Sequence, residues 1–333
     1  MPLPGILEQA KGFDNIAEAL YLRDHMLAQM ELADASDDPT QRQARCTFVV
    51  VGAGTTGTEV AAQGQLFTRA ALSRYPRIRP DELRWLLVDR APAILPELGP
   101  RLGDPALRIL RRRGLDVRLN TTIEEATDGQ VRLSDGTTVP TRTLVWSVGV
   151  TPGPLTRALG LETVKGRIVV DEFLSVPGHP DVFAAGDAAA APDLTRPGQL
   201  TAMTAQHAQR QGKAAARKVA ATLGHGTRKP YKHRDPGSVV DLGGWQAVAN
   251  PLQIPISGPL ANVITRGYHL YALPANRLRV TTDWLNDIIE HRQFVQLGLI
   301  PSQYSGLTAA EHTDIHYQTD GQPLNGQRQE STR

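Results

Sequence analysis

Thr47-Phe48-Val49-Val50-Val51-Gly52-Ala53-Gly54-Thr55-Thr56-Gly57 is the stretch that decides the fold. Its first five residues are β-branched or apolar without alternation, the pattern of a strand buried on both faces of a parallel sheet. The run ends directly in G-x-G-x-x-G, and residues 58–72 continue with a helix-compatible composition. The glycine pattern alone is a weak signal. Strand, glycine turn and helix in that order make it the dinucleotide-binding fingerprint. Gly52 permits the tight turn, Gly54 lets a pyrophosphate approach the backbone, and Gly57 lets helix and strand pack closely. The free N–H groups that open the helix then face the phosphates.

A second apolar run, residues 83–88, ends in Asp89, where such folds place an acid on the ribose hydroxyls of the adenosine. Asp89 lies further from the glycines than the usual ~20 residues because the polar segment 73–82 lengthens the crossover. An acid here repels a 2′-phosphate and favours NADH, whereas Arg90 beside it keeps NADPH open; a strand-end carboxylate facing water is the plainer alternative. Residues 115–119 form a third strand after a helix closed by Gly114, and Arg111-Arg112-Arg113 reads as a solvated helix end rather than a phosphate site. Residues 130–139, centred on Asp135-Gly136, read as a hairpin, and 143–148 return as a strand. Residues 45–150 are therefore expected to be a Rossmann-like NAD(P)-binding βαβ domain with an inserted antiparallel piece.

Upstream, residues 1–44 read as an N-terminal helix and linker. Asn15 with Glu18 forms a capping box, and Ile16, Leu20 and Leu27 share one side of a helix running to about residue 35. Downstream, residues 151–236 form a second domain, with strands at 167–170 and 182–185 and a long helix at 199–223. Residues 237–302 hold a small β unit and two amphipathic helices. Residues 303–333 are polar and without period, and are read as disordered. The class is α/β.

With 36 basic and 34 acidic residues the formal charge is only +2, which gives no general pull toward nucleic acid. The single cysteine, Cys46, excludes an internal disulfide framework and any two-cysteine redox centre. No window approaches the ~18 to 20 apolar residues of a membrane span. A cytoplasmic protein is expected, free or peripheral on the cytoplasmic face of the membrane. No His/Cys/Asp spacing suggests a metal.

Further stretches resemble the two-dinucleotide-binding flavoproteins of the pyridine nucleotide-disulfide oxidoreductase kind. Leu144-Val145-Trp146-Ser147-Val148-Gly149-Val150 resembles the segment where the NAD domain crosses back to the flavin domain. His179-Pro180-Asp181-Val182-Phe183-Ala184-Ala185-Gly186-Asp187 resembles the second flavin signature, which implies that Gly186 and Asp187 meet the ribityl chain of FAD. Many members pass electrons through a cysteine pair that one cysteine cannot supply, which points to the branch resembling type II NADH dehydrogenases. Two matches support that branch. Glu59 stands two residues after the last glycine of the motif, and Ala205-Gln206-His207-Ala208-Gln209-Arg210-Gln211 resembles an A-Q-x-A-x-Q-Q segment near the flavin ring and quinone. Gln206 and Gln211 match, and Arg210 departs.

The resemblance spans roughly residues 10–302 and begins late, without the family's opening glycine fingerprint for FAD. It implies an FAD-dependent enzyme in an incomplete FAD domain, passing hydride from NADH to flavin and on to a quinone-like acceptor, with Glu59, Gln206 and Gln211 as the reactive set. Glu59 reads equally as a first-turn helix carboxylate favoured by the dipole. Rival readings are an NADH-binding module that holds FAD poorly, and a flavin reductase with a soluble acceptor. Leu260, Val263, Ile264, Tyr268 and Tyr271 form one apolar stripe and Leu278, Leu285, Ile288 and Ile289 another. Core packing, a homodimer and lipid contact all remain open for these stripes, with polar Asn262, Thr265 and Arg266 arguing for a weak anchor.

Overall fold

The computed structural model describes residues 3–13, 15–149, 151–233, 237–273, 275–289 and 294–301; the tail read as disordered lies outside them. In chain order the elements begin α1 (Ile6–Gln9), β1 (Ala10–Lys11), α2 (Ile16–Ala35), α3 (Pro39–Arg45), β2 (Thr47–Val51), α4 (Thr55–Ala71) and β3 (Arg84–Val88). There follow α5 (Pro100–Arg112), β4 (Asp116–Arg118), β5 (Ile123–Thr127), β6 (Gln130–Leu133), β7 (Thr138–Pro140) and β8 (Thr143–Trp146). The central sheet runs β1-β8-β2-β3-β4, with every pair parallel. The segment before residue 45 thus supplies an edge strand as well as helices.

The unbroken apolar run of β2 is explained by burial on both faces. Phe48 and Val50 point into a core shared with the helices, where Phe48 stacks on Trp85 at 4.7 Å between ring centroids. Val49 and Val51 point the other way, onto Ile123, Val131, Leu133 and Val139 of the antiparallel sheet β5-β6-β7. The sheet is a three-layer sandwich with helices on one side and the inserted β piece on the other, as the hairpin reading anticipated.

Asn15 caps α2, accepting from the Glu18 N–H at 2.9 Å. The buried side of that helix agrees with expectation at Leu27 and departs from it at the first turn. Leu22, Met26, Leu27 and Met30 go inward, while Ile16 at the first turn is 81 % exposed. Beneath α2, the His25 Nε2 lies 3.0 Å from Thr143 Oγ1 and 3.2 Å from the Arg142 carbonyl. Burial, and next the Lys11 charge, push the imidazole down to about 4; Arg45 acts in the same direction. A His whose folded value is depressed contributes stability above its ordinary value and loses it as pH falls through the folded one. Stability should therefore fall between about pH 6.5 and 4. Denaturant titrations across that window should show a flatter acid limb in His25→Gln; an identical slope would contradict the assignment.

The second unit comprises α6 (Leu155–Ala158), β9 (Thr163–Val164), β10 (Arg167–Val169), β11 (Ser175–Val176), β12 (His179–Phe183), β13 (Ala189–Ala190) and α7 (Ala205–Thr222). The long helix begins later than expected because Thr204 caps it, accepting from the His207 N–H. The last unit is β14 (Val239–Gly243), β15 (Gln246–Ala249), β16 (Ile256–Ser257), α8 (Pro259–Ala272) and α9 (Arg277–Ile289). Val240, Leu242 and Val248 join the main core, so this unit packs on the helical side of the first.

Candidate functional site

The glycine turn is built as its spacing demands. Gly52 has φ +104°, which only glycine adopts without strain. A Cβ on Gly57 would lie 1.8 Å from the Gly52 carbonyl oxygen and 2.3 Å from Ser147 Oγ, so that position is closed to any side chain. At Gly54, which caps α4, the nearest atom to an added Cβ is Glu97 Oε1 at 3.7 Å, leaving the approach to the helix start comparatively open. The strand that crosses back closes the turn from the far side: Ser147 donates from Oγ to the Val51 carbonyl at 2.7 Å. Gly149, two residues on, has open space around it.

Two carboxylates organise this turn. The Asp89 side chain accepts from the Ala53 N–H inside the glycine loop and from the Ala91 N–H at 2.7 Å. The acid at the end of the second strand therefore stiffens the cradle. Arg90 beside it is exposed. Glu97 was not singled out by sequence, because it reaches the site across 42 residues. Its Oε1 accepts from the Thr55 N–H at 2.9 Å and from Thr55 Oγ1 at 2.8 Å, placing an anion on the first turn of α4. The dipole and unpaired N–H groups of a helix start favour negative charge there.

On the next turn Glu59 meets the C-terminal unit, its Oε1 accepting from the Asp241 N–H at 2.8 Å. Burial, and then the charge of Asp241, push the Glu59 carboxyl up to about 7, against the opposing pull of that hydrogen bond. Arg113, read as part of a solvated helix end, is instead a staple. It donates to the Ala62 and Leu242 carbonyls, both at 2.6 Å, and to Gln65 Oε1 at 3.2 Å.

The other motif residues gather around α7. Gln211 is buried; its Oε1 accepts from the Gly186 N–H at 2.7 Å and its Nε2 donates to Thr201 Oγ1 at 2.9 Å. The Asp187 Oδ1 is buried with no hydrogen-bond partner, and so are Nε and Nη2 of Arg167, a buried guanidinium that senses the Asp187 charge. Unpartnered buried polar atoms are costly, and a polyhydroxyl chain would satisfy both kinds. Gln206 donates to the Gly237 carbonyl at 2.7 Å and accepts from Arg210 at 3.2 Å, which gives the departing Arg210 a partner within the same helix. Beside them His207 bonds Tyr231 at 3.0 Å and its ring lies 4.1 Å from that of His233; burial, then the His233 charge, lowers its pKa. Cys46 is buried with its thiol pushed up to about 11, chiefly by burial, which fits an inert packing residue. Among the described residues no His, Cys, Asp or Glu side chains group to hold a metal ion.

The fold and turn define a Rossmann-like α/β protein, and comparison with known proteins makes the class specific. The chain belongs to the pyridine nucleotide-disulphide oxidoreductase family, whose model matches residues 1–212. It is 34 % identical over 288 residues to the type II NADH:quinone oxidoreductase NdhA of Mycobacterium tuberculosis, a match covering 81 % of this chain and 59 % of that protein. A mitochondrial internal alternative NAD(P)H-ubiquinone oxidoreductase of Arabidopsis thaliana is 29 % identical, covering 88 % of this chain and 61 % of its own length. Among solved structures, NDH2 from Plasmodium falciparum in complex with NADH shares the fold with a TM-score of 0.78 at 16 % identity, over 88 % of this chain and 76 % of that one. The chain spans about three fifths of the length of the first two relatives.

Proposed function

We propose that this chain carries the NADH-binding and acceptor-facing part of an FAD-dependent NADH dehydrogenase that delivers electrons to a quinone-like acceptor. The observation that carries the reading is the glycine turn closed at Gly57 and open beside Gly54, with an anion already seated on Thr55. The pyrophosphate of NADH would replace the Glu97 carboxylate there, while Asp89 accepts from the ribose hydroxyls. The likeness to NADH:quinone oxidoreductases supports the substrate pair.

FAD suits the second unit, where the Asp187 Oδ1 awaits a donor and Arg167 an acceptor. When bound, it would supply the two-electron chemistry, taking a hydride and releasing electrons singly or in pairs. Gln211 then has a defined task, holding the Gly186 amide and so the direction of Asp187. Gln206 serves at the acceptor side through its place on the first turn of α7. Glu59 holds or yields a proton at its carboxyl near neutral pH, where a general acid or base works best.

Peripheral contact with a membrane, taken here to be at its cytoplasmic face, draws its support from the surface of α8 and α9, which bears on the contact and not on the side. The inward side of α8 is polar: Asn262 and Thr265 are buried with Ala261. Its outward side is apolar, with Leu260 63 % and Tyr271 77 % exposed, and Leu278 on α9 81 % exposed. The polar residues that argued for a weak anchor are thus largely withdrawn from the surface. Arg266 lies over the Trp245 and Trp284 rings, a basic and aromatic rim suited to lipid headgroups. The same face in a homodimer is the competing occupant, and flotation with anionic vesicles against sedimentation without them separates the two. No helix among the described residues is long and apolar enough to cross a membrane.

The test is reconstitution with FAD followed by anaerobic NADH addition. Bleaching of the flavin by NADH and its recovery with a short-chain quinone are expected, and a flavin that stays oxidised overturns the proposal. In the same preparation Gln206→Ala should lower quinone turnover at least tenfold more than flavin bleaching, with about 1 kcal/mol lost from stability for the bond to Gly237. Unchanged quinone turnover would make Gln206 a purely structural tie.

A further inference from the structure

Glu59 meets its surroundings across the joint between α4 and the C-terminal unit, and that joint is held by two polar ties. On one side the Arg113 guanidinium spans the Ala62 carbonyl of α4 and the Leu242 carbonyl of β14. On the other side Asp241 uses its carboxylate Oδ1 to accept from the Gly243 N–H at 2.8 Å and from Asn262 Nδ2 at 3.2 Å. The Asn262 amide can be oriented only one way, because a carboxylate accepts and does not donate. Its own Oδ1 is left buried with no hydrogen-bond partner. Buried polar groups arranged at such a cost are expected where geometry is being fixed.

The approach of the two elements is close. A Cβ on Gly243 would lie 2.7 Å from both Gln63 Oε1 and Leu66 Cδ1 of α4, and the φ of +70° at this bend favours glycine. The result is that one residue presents Glu59 with both a backbone donor and a like charge. The N–H of Asp241 favours the ionised carboxyl, and burial together with the Asp241 carboxylate favours the neutral one. Asp241 is the charged group of β14 that acts on Glu59. From α8, neutral Asn262 contacts Asp241, and Arg113 donates to the Ala62 and Leu242 carbonyls.

We propose that Asp241 is the positioning residue for Glu59, fixed in place by Asn262 of α8 and by the Arg113 staple, so that the seating of the C-terminal unit sets the proton affinity of Glu59. The inference rests on the reading of Glu59 as a proton-holding group, yet its test needs no dinucleotide, flavin or acceptor. If NADH fails to bind while the Glu59 titration responds to Asp241, the functional reading fails and the positioning role stands.

The experiment follows the Glu59 carboxyl in the full chain by carbon-detected NMR or infrared difference spectra against pH, using Glu59→Gln to assign the signal. The parent midpoint is expected at about 7. Asp241→Asn keeps the backbone donor and removes the charge, and should lower the midpoint below that of the parent. A folded Asp241→Asn protein with an unmoved midpoint, even one with a lowered melting temperature, overturns the proposal and leaves Asp241 as structural. Should that variant not fold, the parent decides. The Asp241 amide resonance is expected to titrate with the Glu59 midpoint and to stop doing so in Glu59→Gln, and an amide indifferent to pH across the neutral range overturns the proposal as well.

Discussion

Alanine at position 57 is expected to abolish NADH binding, lowering affinity at least a hundredfold. The new methyl would fall 1.8 Å from the Gly52 carbonyl oxygen and 2.3 Å from Ser147 Oγ. Neither atom can give way cheaply. The carbonyl belongs to the tight turn itself, and Ser147 is tied to the Val51 carbonyl of the neighbouring strand. The start of α4 must therefore lift from β2, carrying the Thr55 N–H group away from the line on which it meets an anion. Overpacking of this kind costs about 1–3 kcal/mol of stability, and the displaced donors remove several charge-assisted bonds from the dinucleotide. Thermal melts and calorimetric titrations with NADH check both parts. A Gly57→Ala protein that binds NADH normally would show that α4 can be displaced without loss, and the fingerprint reading would fail.

The second large effect is expected at Asp89. Its carboxylate links the Ala53 and Ala91 amides, so Asp89→Ser should loosen the glycine turn while removing the acceptor for the ribose hydroxyls. NADH affinity should drop by ~1 to 3 kcal/mol, and the preference over NADPH should shrink because the repulsion of a 2′-phosphate goes with the charge. Exposed Arg90 is free to turn toward that phosphate in the variant. Affinities for both dinucleotides in parent and variant decide the matter. An unchanged ratio would mean that the acid serves the turn alone.

The parts of this molecule that sequence made readable are local in chain distance. The Asn15 cap of α2, the buried run of β2, the glycine turn and the hairpin of β6 and β7 each depend on residues a few positions apart, and each formed where expected. What sequence did not reveal is made by long-range pairs. Arg113 looked like one of three solvated arginines because its partner carbonyl lies 129 residues away on Leu242. Asp241 carries no motif, and its link to Glu59 spans 182 residues. Glu97 is unremarkable until the fold carries it to Thr55.

For the helix α8, periodicity defines an apolar stripe without saying what it faces, and Asn262 and Thr265 turn out to be buried. The Asp241 carboxylate gives Asn262 a buried partner, and Thr265 returns its hydroxyl to the Ala261 carbonyl of its own helix at 2.8 Å. With both accommodated, the helix turns its apolar side outward. For α2 the departure is at the start: Ile16 sits in the first turn, beyond the reach of the sheet, and the inward stripe starts only at Leu22.

The account stands or falls on the anion cradle at the start of α4, and the most direct measurement is a calorimetric titration of the purified 333-residue chain with NADH. Saturable one-to-one binding that is competed by ADP-ribose and lost in Gly57→Ala is the result expected. A parent chain that is folded by circular dichroism yet takes up no NADH at millimolar concentration would contradict it.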